Sequence, residues 1–201
     1  MNDSKLGVDV VIRPMHTDDI DSVVAIEFQA FTSPWKAETF LGLISRDGAE
    51  LWVIEHSRVG VIGYGVLWCL LDQGELANMA VAPEFLGQGL AVGLLDHLVE
   101  VASNRGVNSI YLEVRDSNER AADLYLGFGF EEIGRRKNYY DLPIEDARVM
   151  RIQLEECHGY LRFNRKDSLT LLIDAGYLRM TFIMGMVLSA AGKEPKLFYR
   201  L

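Results

Sequence analysis

Apolar residues recur at helical spacing through Ala91, Leu94, Leu95, Leu98, Val99 and Ala102, which predicts an amphipathic helix from about Gly89 to Asn104. An apolar run from Leu76 to Val81 precedes it and reads as a strand, so Pro83, Gly87 and Gly89 occupy the turn between the two. Upstream, Val8 to Ile12 reads as a first strand, and Thr17 to Asp19 offers the cap of a helix reaching about Ala30. The segment Phe31-Thr32-Ser33-Pro34-Trp35 breaks the chain before a short helix from Glu38 to Ile44. Two β-rich runs, Leu51 to Glu55 and Val59 to Leu71, joined by His56-Ser57-Arg58, predict an antiparallel hairpin. Beyond the long helix, Ser109 to Val114 is a strand and Asn118 to about Leu126 a helix. Strands near Phe130 to Tyr139 and Ala147 to Leu154 complete the pattern.

This order, β-α-α-β-β-β-α-β-α-β-β, predicts one three-layer α/β domain on a mixed sheet, with the unit from Leu76 to Val114 as a right-handed parallel crossover. The domain is expected to span residues 1–156. Residues 157–201 form an extension that mixes basic positions (Arg162, Arg165, Lys166) with an apolar run from Leu178 to Leu188 and has no clean period. Since every candidate catalytic residue precedes it, the extension is expected to serve packing or association. There is no internal repeat and no low-complexity linker.

Composition narrows the function. At 201 residues, 49% hydrophobic and 24% charged, the chain reads as a soluble globular protein with one substantial core. A net charge of −9 argues against a nucleic-acid backbone as its ligand, which would call for a basic stripe. No basic segment followed by a long apolar run opens the chain, and the apolar stretch Met180 to Gly192 is shorter than the ~20 residues of a membrane span. A cytoplasmic address without membrane attachment is therefore expected. Cys69 and Cys157 form no C-x-x-C, and His16, His56, His97 and His158 are scattered and expected at the surface, so neither a disulfide framework nor a metal site is expected.

The strand–glycine–helix segment carries the first chemical signal. Without a Cβ, Gly87 and Gly89 can turn with positive φ and aim successive N–H groups at one ligand, and the following helix adds its unpaired first-turn N–H groups and positive dipole end. The same residues also fit a tight turn before a core helix. Glu113 near a strand end, Asn118 at a helix start and Tyr125 seven residues later supply a second signal. Asn118 and Tyr125 share a helix face about 10 Å apart along the axis. A carboxylate and a phenol beside an anion cradle suggest a proton acceptor and a proton donor. Singly, they also fit an exposed strand-end acid, an N-cap and a core aromatic.

Five strings resemble the GNAT superfamily of N-acetyltransferases, most closely the ribosomal-protein-alanine N-acetyltransferases: F-T-S-P-W at Phe31 to Trp35, A-N-M-A-V-A-P-E-F-L-G-Q-G-L-A at Ala77 to Ala91, Y-L-E-V-R-D-S-N at Tyr111 to Asn118, L-Y-L-G-F-G-F at Leu124 to Phe130, and R-R-K-N-Y-Y at Arg135 to Tyr140. The resemblance runs from about Val8 to Leu154. It implies a three-layer fold whose mixed, mostly antiparallel sheet is splayed at a cofactor cleft. It implies acetyl-CoA as co-substrate, with the backbone of Met79, Ala80 and Val81 along its acetyl and pantetheine part and Leu86, Gly87, Gln88, Gly89, Leu90 and Ala91 around its pyrophosphate. Glu113 matches the family's general base, Tyr125 its general acid, and Asn118 its cofactor-contacting amide. Tyr139 and Tyr140 match a pair near the acceptor, and Trp35 is a further candidate there. The implied acceptor is a protein N-terminus, that of a ribosomal protein, the eighteenth of the small subunit, being the subfamily's own; a small-molecule amine or a lysine is the alternative.

Leu86 departs from the family pattern, which begins its glycine loop with Gln or Arg, so a weaker or differently anchored cofactor grip is expected. Two other readings compete. The glycine pair followed by Glu113 superficially imitates a dinucleotide-binding unit, but Val92 stands where its third glycine belongs. A non-catalytic CoA-binding protein would explain Leu86, but not the joint presence of Glu113, Asn118 and Tyr125.

Overall fold

A computed structural model describes residues 9–154. The expected extension at 157–201 and His158 lie outside the described residues. Within them, β1 (Val10–Pro14) leads through a short 3-10 turn to α1 (Ile20–Ala30) and α2 (Ala37–Ile44). Then follow β2 (Ala49–His56), β3 (Gly60–Leu70), β4 (Gln73–Val81), α3 (Leu90–Asn104), β5 (Ser109–Arg115), α4 (Glu119–Phe128), β6 (Glu131–Asp141) and β7 (Ile144–Gln153). The sheet order is β1-β2-β3-β4-β5-β7-β6. Every pairing is antiparallel except β4 with β5, so the expected mixed, mostly antiparallel sheet is present.

Alternation along β5 shows how the layers form. Ile110, Leu112 and Val114 are buried on one face with Leu94, Leu95 and Leu98 of α3 and Ala122 and Tyr125 of α4. Tyr111, Glu113 and Arg115 therefore take the opposite face, because successive strand side chains alternate. On β3, Tyr64 reaches α1 through its hydroxyl, while its neighbour Gly65 faces α3. A Cβ on Gly65 would come within 2.7 Å of Leu98 Cδ1, so the absent side chain lets α3 settle closely on the sheet. Each fully buried leucine of α3 contributes about 1.5–3 kcal/mol of burial free energy.

Two irregularities matter more than the regular parts. In β4, Leu67 pairs with Leu76 but Val66 pairs with Asn78, which leaves Ala77 as the extra residue of a β-bulge. The bulge resets the alternation, so Glu75 and Asn78 both face α1. In addition, β4 pairs with β5 only from Gln73 to Glu75, opposite Ser109 to Tyr111. Both strands continue beyond that point, to Val81 and Arg115, without pairing to each other. The sheet is therefore splayed where the glycine loop leaves it.

The cap of α1 is Asp19, within the expected Thr17–Asp19 segment; its carboxylate accepts the His16 N–H at 2.8 Å and is gripped by Arg13. Two histidine expectations are corrected. His97 is half-buried against Trp52, ring centroids 4.1 Å apart, because it sits on the sheet-facing side of α3. His56 is half-buried too, 5.9 Å from the Phe85 ring.

Candidate active site

The glycine loop has the conformation that its sequence calls for. Gly87 and Gly89 both have φ of +79°, and Gly89 is the N-cap of α3. The first intrahelical bond of α3 is donated by Gly93 to Gly89, so the N–H groups of Leu90, Ala91 and Val92 are the unpaired first-turn donors. No acidic side chain occupies that turn, and the positive end of the helix dipole is left for an external anion. The Leu90 side chain is buried in the core, so this residue can offer a ligand only its backbone. Leu86 is 44% exposed and brings no polar atom to the loop. Beside the cradle, Met79 to Val81 lie on the part of β4 that has lost β5 as a neighbour. An open strand edge followed by clustered N–H donors fits an extended co-substrate with a pyrophosphate. Among the described residues, no group of three His, Cys, Asp or Glu side chains is placed to hold a metal.

Glu113 stands on the α1 face of β5, its side chain only 15% exposed. Burial raises its pKa, and the Arg136 guanidinium, 3.5 Å away, opposes that rise. Glu75 lies on the same face, one strand over: it pairs with Tyr111, two residues before Glu113. Burial, reinforced by Glu113, pushes Glu75 up to about 7. Two carboxylates thus share one local environment with one guanidinium, and their protonation is coupled.

Tyr125 is on the other face, within the core shared by α3 and α4. It is 9% exposed and set edge-on to Phe130 at 5.6 Å. Burial keeps its hydroxyl protonated far above neutral pH, with Tyr140 adding to the effect. Glu113 and Tyr125 thus flank the splay from opposite faces of the sheet. Tyr140 is the electrostatic link, since its hydroxyl is also influenced by Glu113; burial is the main reason that its pKa rises to about 12. Asn118 takes the role of N-cap of α4, accepting the Ala121 N–H at 3.1 Å, and its remaining polar group is its Nδ2 amide.

The tyrosine pair is shaped by a bulge in β6 between Arg136 and Tyr140. Asn138 has φ of +51°, and its N–H donates to Asp146 Oδ1 at 2.9 Å. The Tyr139 and Tyr140 rings end up perpendicular, 5.1 Å apart, with Arg136 over the first and Arg115 over the second. Arg115 also donates to Thr32 Oγ1 at 2.9 Å and to the Leu142 carbonyl at 3.1 Å, tying the α1–α2 loop to the β6–β7 turn. Trp35, from the same α1–α2 loop, packs on Phe40 with centroids 5.6 Å apart. Glu113, Trp35 and the tyrosines are thus brought to one face of the sheet.

Sequence reading missed Glu27, Glu75, Arg115 and Arg136. Glu27 could have been noticed, since it stands four residues after Val23 and seven after Ile20, on the apolar stripe of α1. Glu75 was an acid inside an otherwise apolar strand. The two arginines carried no clear local signal, because Arg115 meets partners from the α1–α2 loop, β6, the β6–β7 turn and β7, and Arg136 meets Glu113 across β7.

Comparison with known proteins identifies the family and the fold. Residues 20–130 match the model of the acetyltransferase (GNAT) family. A Bacillus subtilis (strain 168) protein, named as a candidate ribosomal protein bS18-alanine N-acetyltransferase, is 38% identical over 146 residues, covering 72% of this chain and 96% of its own. The ribosomal protein bS18-alanine N-acetyltransferase of Escherichia coli (strain K12) is 36% identical over 138 residues, or 68% of this chain and 90% of its own. The crystal structure of the Escherichia coli ribosomal-protein-S18-alanine N-acetyltransferase superposes with a TM-score of 0.66 at 31% identity, covering 76% of this chain and 99% of that one. Ard1 from Thermoplasma volcanium shares the fold, with a TM-score of 0.68 at 24% identity over 74% of this chain and all of that one.

Proposed function

The chain belongs to the acetyltransferase (GNAT) family, and we propose that it acetylates the α-amine of a protein N-terminus, that of a ribosomal protein in the cytoplasm. The fold implies acetyl-CoA as co-substrate, which supplies an activated acetyl thioester when bound. The N–H groups of Leu90, Ala91 and Val92 and the positive-φ glycines would hold its pyrophosphate, and Met79 to Val81 its pantetheine.

Glu113 carries the reading. An α-amine arrives largely as ammonium and must lose a proton before its nitrogen can attack a carbonyl carbon. Burial raises the basicity of Glu113 toward the working pH, and Arg136 limits that rise, so its carboxylate can accept the proton and hold it. Across the splay, the protonated Tyr125 hydroxyl is suited to donate to the departing sulfur. Trp35, Tyr139 and Tyr140 offer an aromatic wall for a small first side chain. Support for the acceptor class comes from the named activity of the 36% identical relative. The net charge of −9 adds to it by favouring peptides with basic residues after the first.

The test is a kcat/KM series with acetyl-CoA and the full chain. It compares Ala-Arg- and Ser-starting basic peptides with spermidine and a peptide whose only free amine is an internal lysine. The N-terminal peptides are expected to lead. Faster turnover of spermidine or the lysine peptide would overturn the acceptor assignment and leave the acetyltransferase itself standing.

A further inference from the structure

Among the described residues, Glu27 is the most deeply buried charged side chain, 1% exposed, and the proton transfers described above do not use it. A carboxylate in such a place is costly unless it is fully hydrogen-bonded. Glu27 meets that condition by joining three separate elements. Oε1 accepts the Trp35 N–H at 2.8 Å, and Oε2 accepts the Tyr64 hydroxyl of β3. Asn78 Nδ2, on β4 immediately after the bulge, donates to both oxygens at 3.1 and 3.2 Å. The backbone carbonyl of Glu27 also accepts the Phe31 N–H where α1 ends. Trp35, Phe40 and Tyr64 form an aromatic ladder with centroid spacings of 5.6 and 5.5 Å, and Glu27 holds both of its ends.

We infer that Glu27 is a positioning residue for the acceptor: it fixes the α1–α2 loop, and with it Trp35, against the strand that carries the acetyl end of the co-substrate. The inference rests on the acceptor face described above. Any amine that reacts there is covered, whether or not it is a protein N-terminus. A floating loop would lose acceptor affinity, since loop ordering would then be added to the cost of binding. Binding at the glycine loop, made by α3, would be spared.

Glu27→Met keeps length and volume but removes every acceptor atom, whereas Glu27→Gln keeps a carbonyl for the Trp35 N–H and allows Tyr64 and Asn78 to reverse their bonds. For whichever of the Ala-Arg peptide or spermidine is the better acceptor, E27M is expected to raise the acceptor KM at least about 10-fold. In that variant the acetyl-CoA Kd should stay within about 2-fold, and E27Q should return the acceptor KM to within about 3-fold of wild type. An unchanged acceptor KM in folded E27M, or an acetyl-CoA Kd that weakens equally, would overturn the inference. So would an E27Q variant as impaired as E27M, since charge rather than hydrogen bonding would then be the active property. Should E27M not fold, Y64F removes a single donor and is read in the same way: an acceptor KM raised about 3-fold with normal acetyl-CoA binding supports the inference, and no change defeats it. A spermidine-preferring enzyme with the E27M defect would overturn the N-terminal assignment and leave this inference standing.

Discussion

The cradle from Leu86 to Ala91 is built from consecutive backbone N–H groups of one loop and one helix turn. The proposed acceptor face is built from side chains gathered from the α1–α2 loop, α1, β4, β5 and β6. The cradle needs only glycine at two positive-φ positions and a helix start, so the apolar side chain of Leu86 is compatible with an anion site made by backbone N–H groups. The acceptor face depends on individual atoms: Glu113 on Arg136, the tyrosine pair on the Asn138 bulge, and Trp35 on Glu27. Backbone-made recognition of this kind is expected to be robust to substitution, and side-chain-made chemistry to be sensitive to it.

The sharpest break in this contrast comes from the proton-transfer groups. Glu113→Gln and Tyr125→Phe are each expected to lower kcat by about 100-fold or more with acetyl-CoA affinity unchanged, the usual cost of losing a general base or acid. Turnover at the wild-type rate in either variant would leave that residue with a structural role only. Next, Gly89→Asp attacks the cradle through its one sensitive property. A Cβ there meets nothing within 4 Å, so the change acts through the disfavoured positive φ and through a negative charge at an anion site. Acetyl-CoA affinity measured by titration calorimetry should fall about 10-fold or more, and normal affinity would remove the cradle assignment.

A smaller effect is expected from Glu75→Gln. The Glu113 carboxylate raises Glu75, whereas Glu113 itself is set by burial and Arg136, so replacing Glu75 with neutral Gln should leave the acidic limb of the kcat/KM profile close to its wild-type position. Stability gives a second readout. The folded state holds the Glu75 proton more tightly than the unfolded chain does, so that contribution is complete below about pH 4.5 and is lost as pH rises through about 7. Over that window the wild type should lose stability relative to E75Q, with a slope approaching ~1.4 kcal/mol per pH unit. A pH-independent difference would show that Glu75 is not held protonated by its surroundings. The smallest effect belongs to Leu86→Gln, which should tighten acetyl-CoA no more than about 5-fold, because side chains contribute little to a grip made by backbone N–H groups. A 100-fold gain would erase the contrast between the two halves of the site.

How much was visible beforehand follows the same division. The strand–glycine–helix segment, the hairpin, the helix capped by Asn118 and the layer order depend on residues close together in sequence. Periodicity, capping and turn chemistry act over that range, and these features were legible from the amino acids alone. The strings also singled out Glu113, Tyr125 and the tyrosine pair as candidates. What lay beyond reach was set by contacts between distant segments. The Ala77 bulge and the end of β4–β5 pairing after Glu75 decide which residues face α1. The insertion of β7 between β5 and β6 decides that Arg136 meets Glu113. Burial, which no local pattern measures, pushes Glu27 and Glu75 up to about 7 and keeps Tyr125 protonated. Sequence determined the elements and the kinds of chemical group, because those follow from neighbours along the chain. Tertiary structure alone decided which carboxylates share a face and which hydroxyl lies across the splay, because pairing register and desolvation are properties of the assembled sheet.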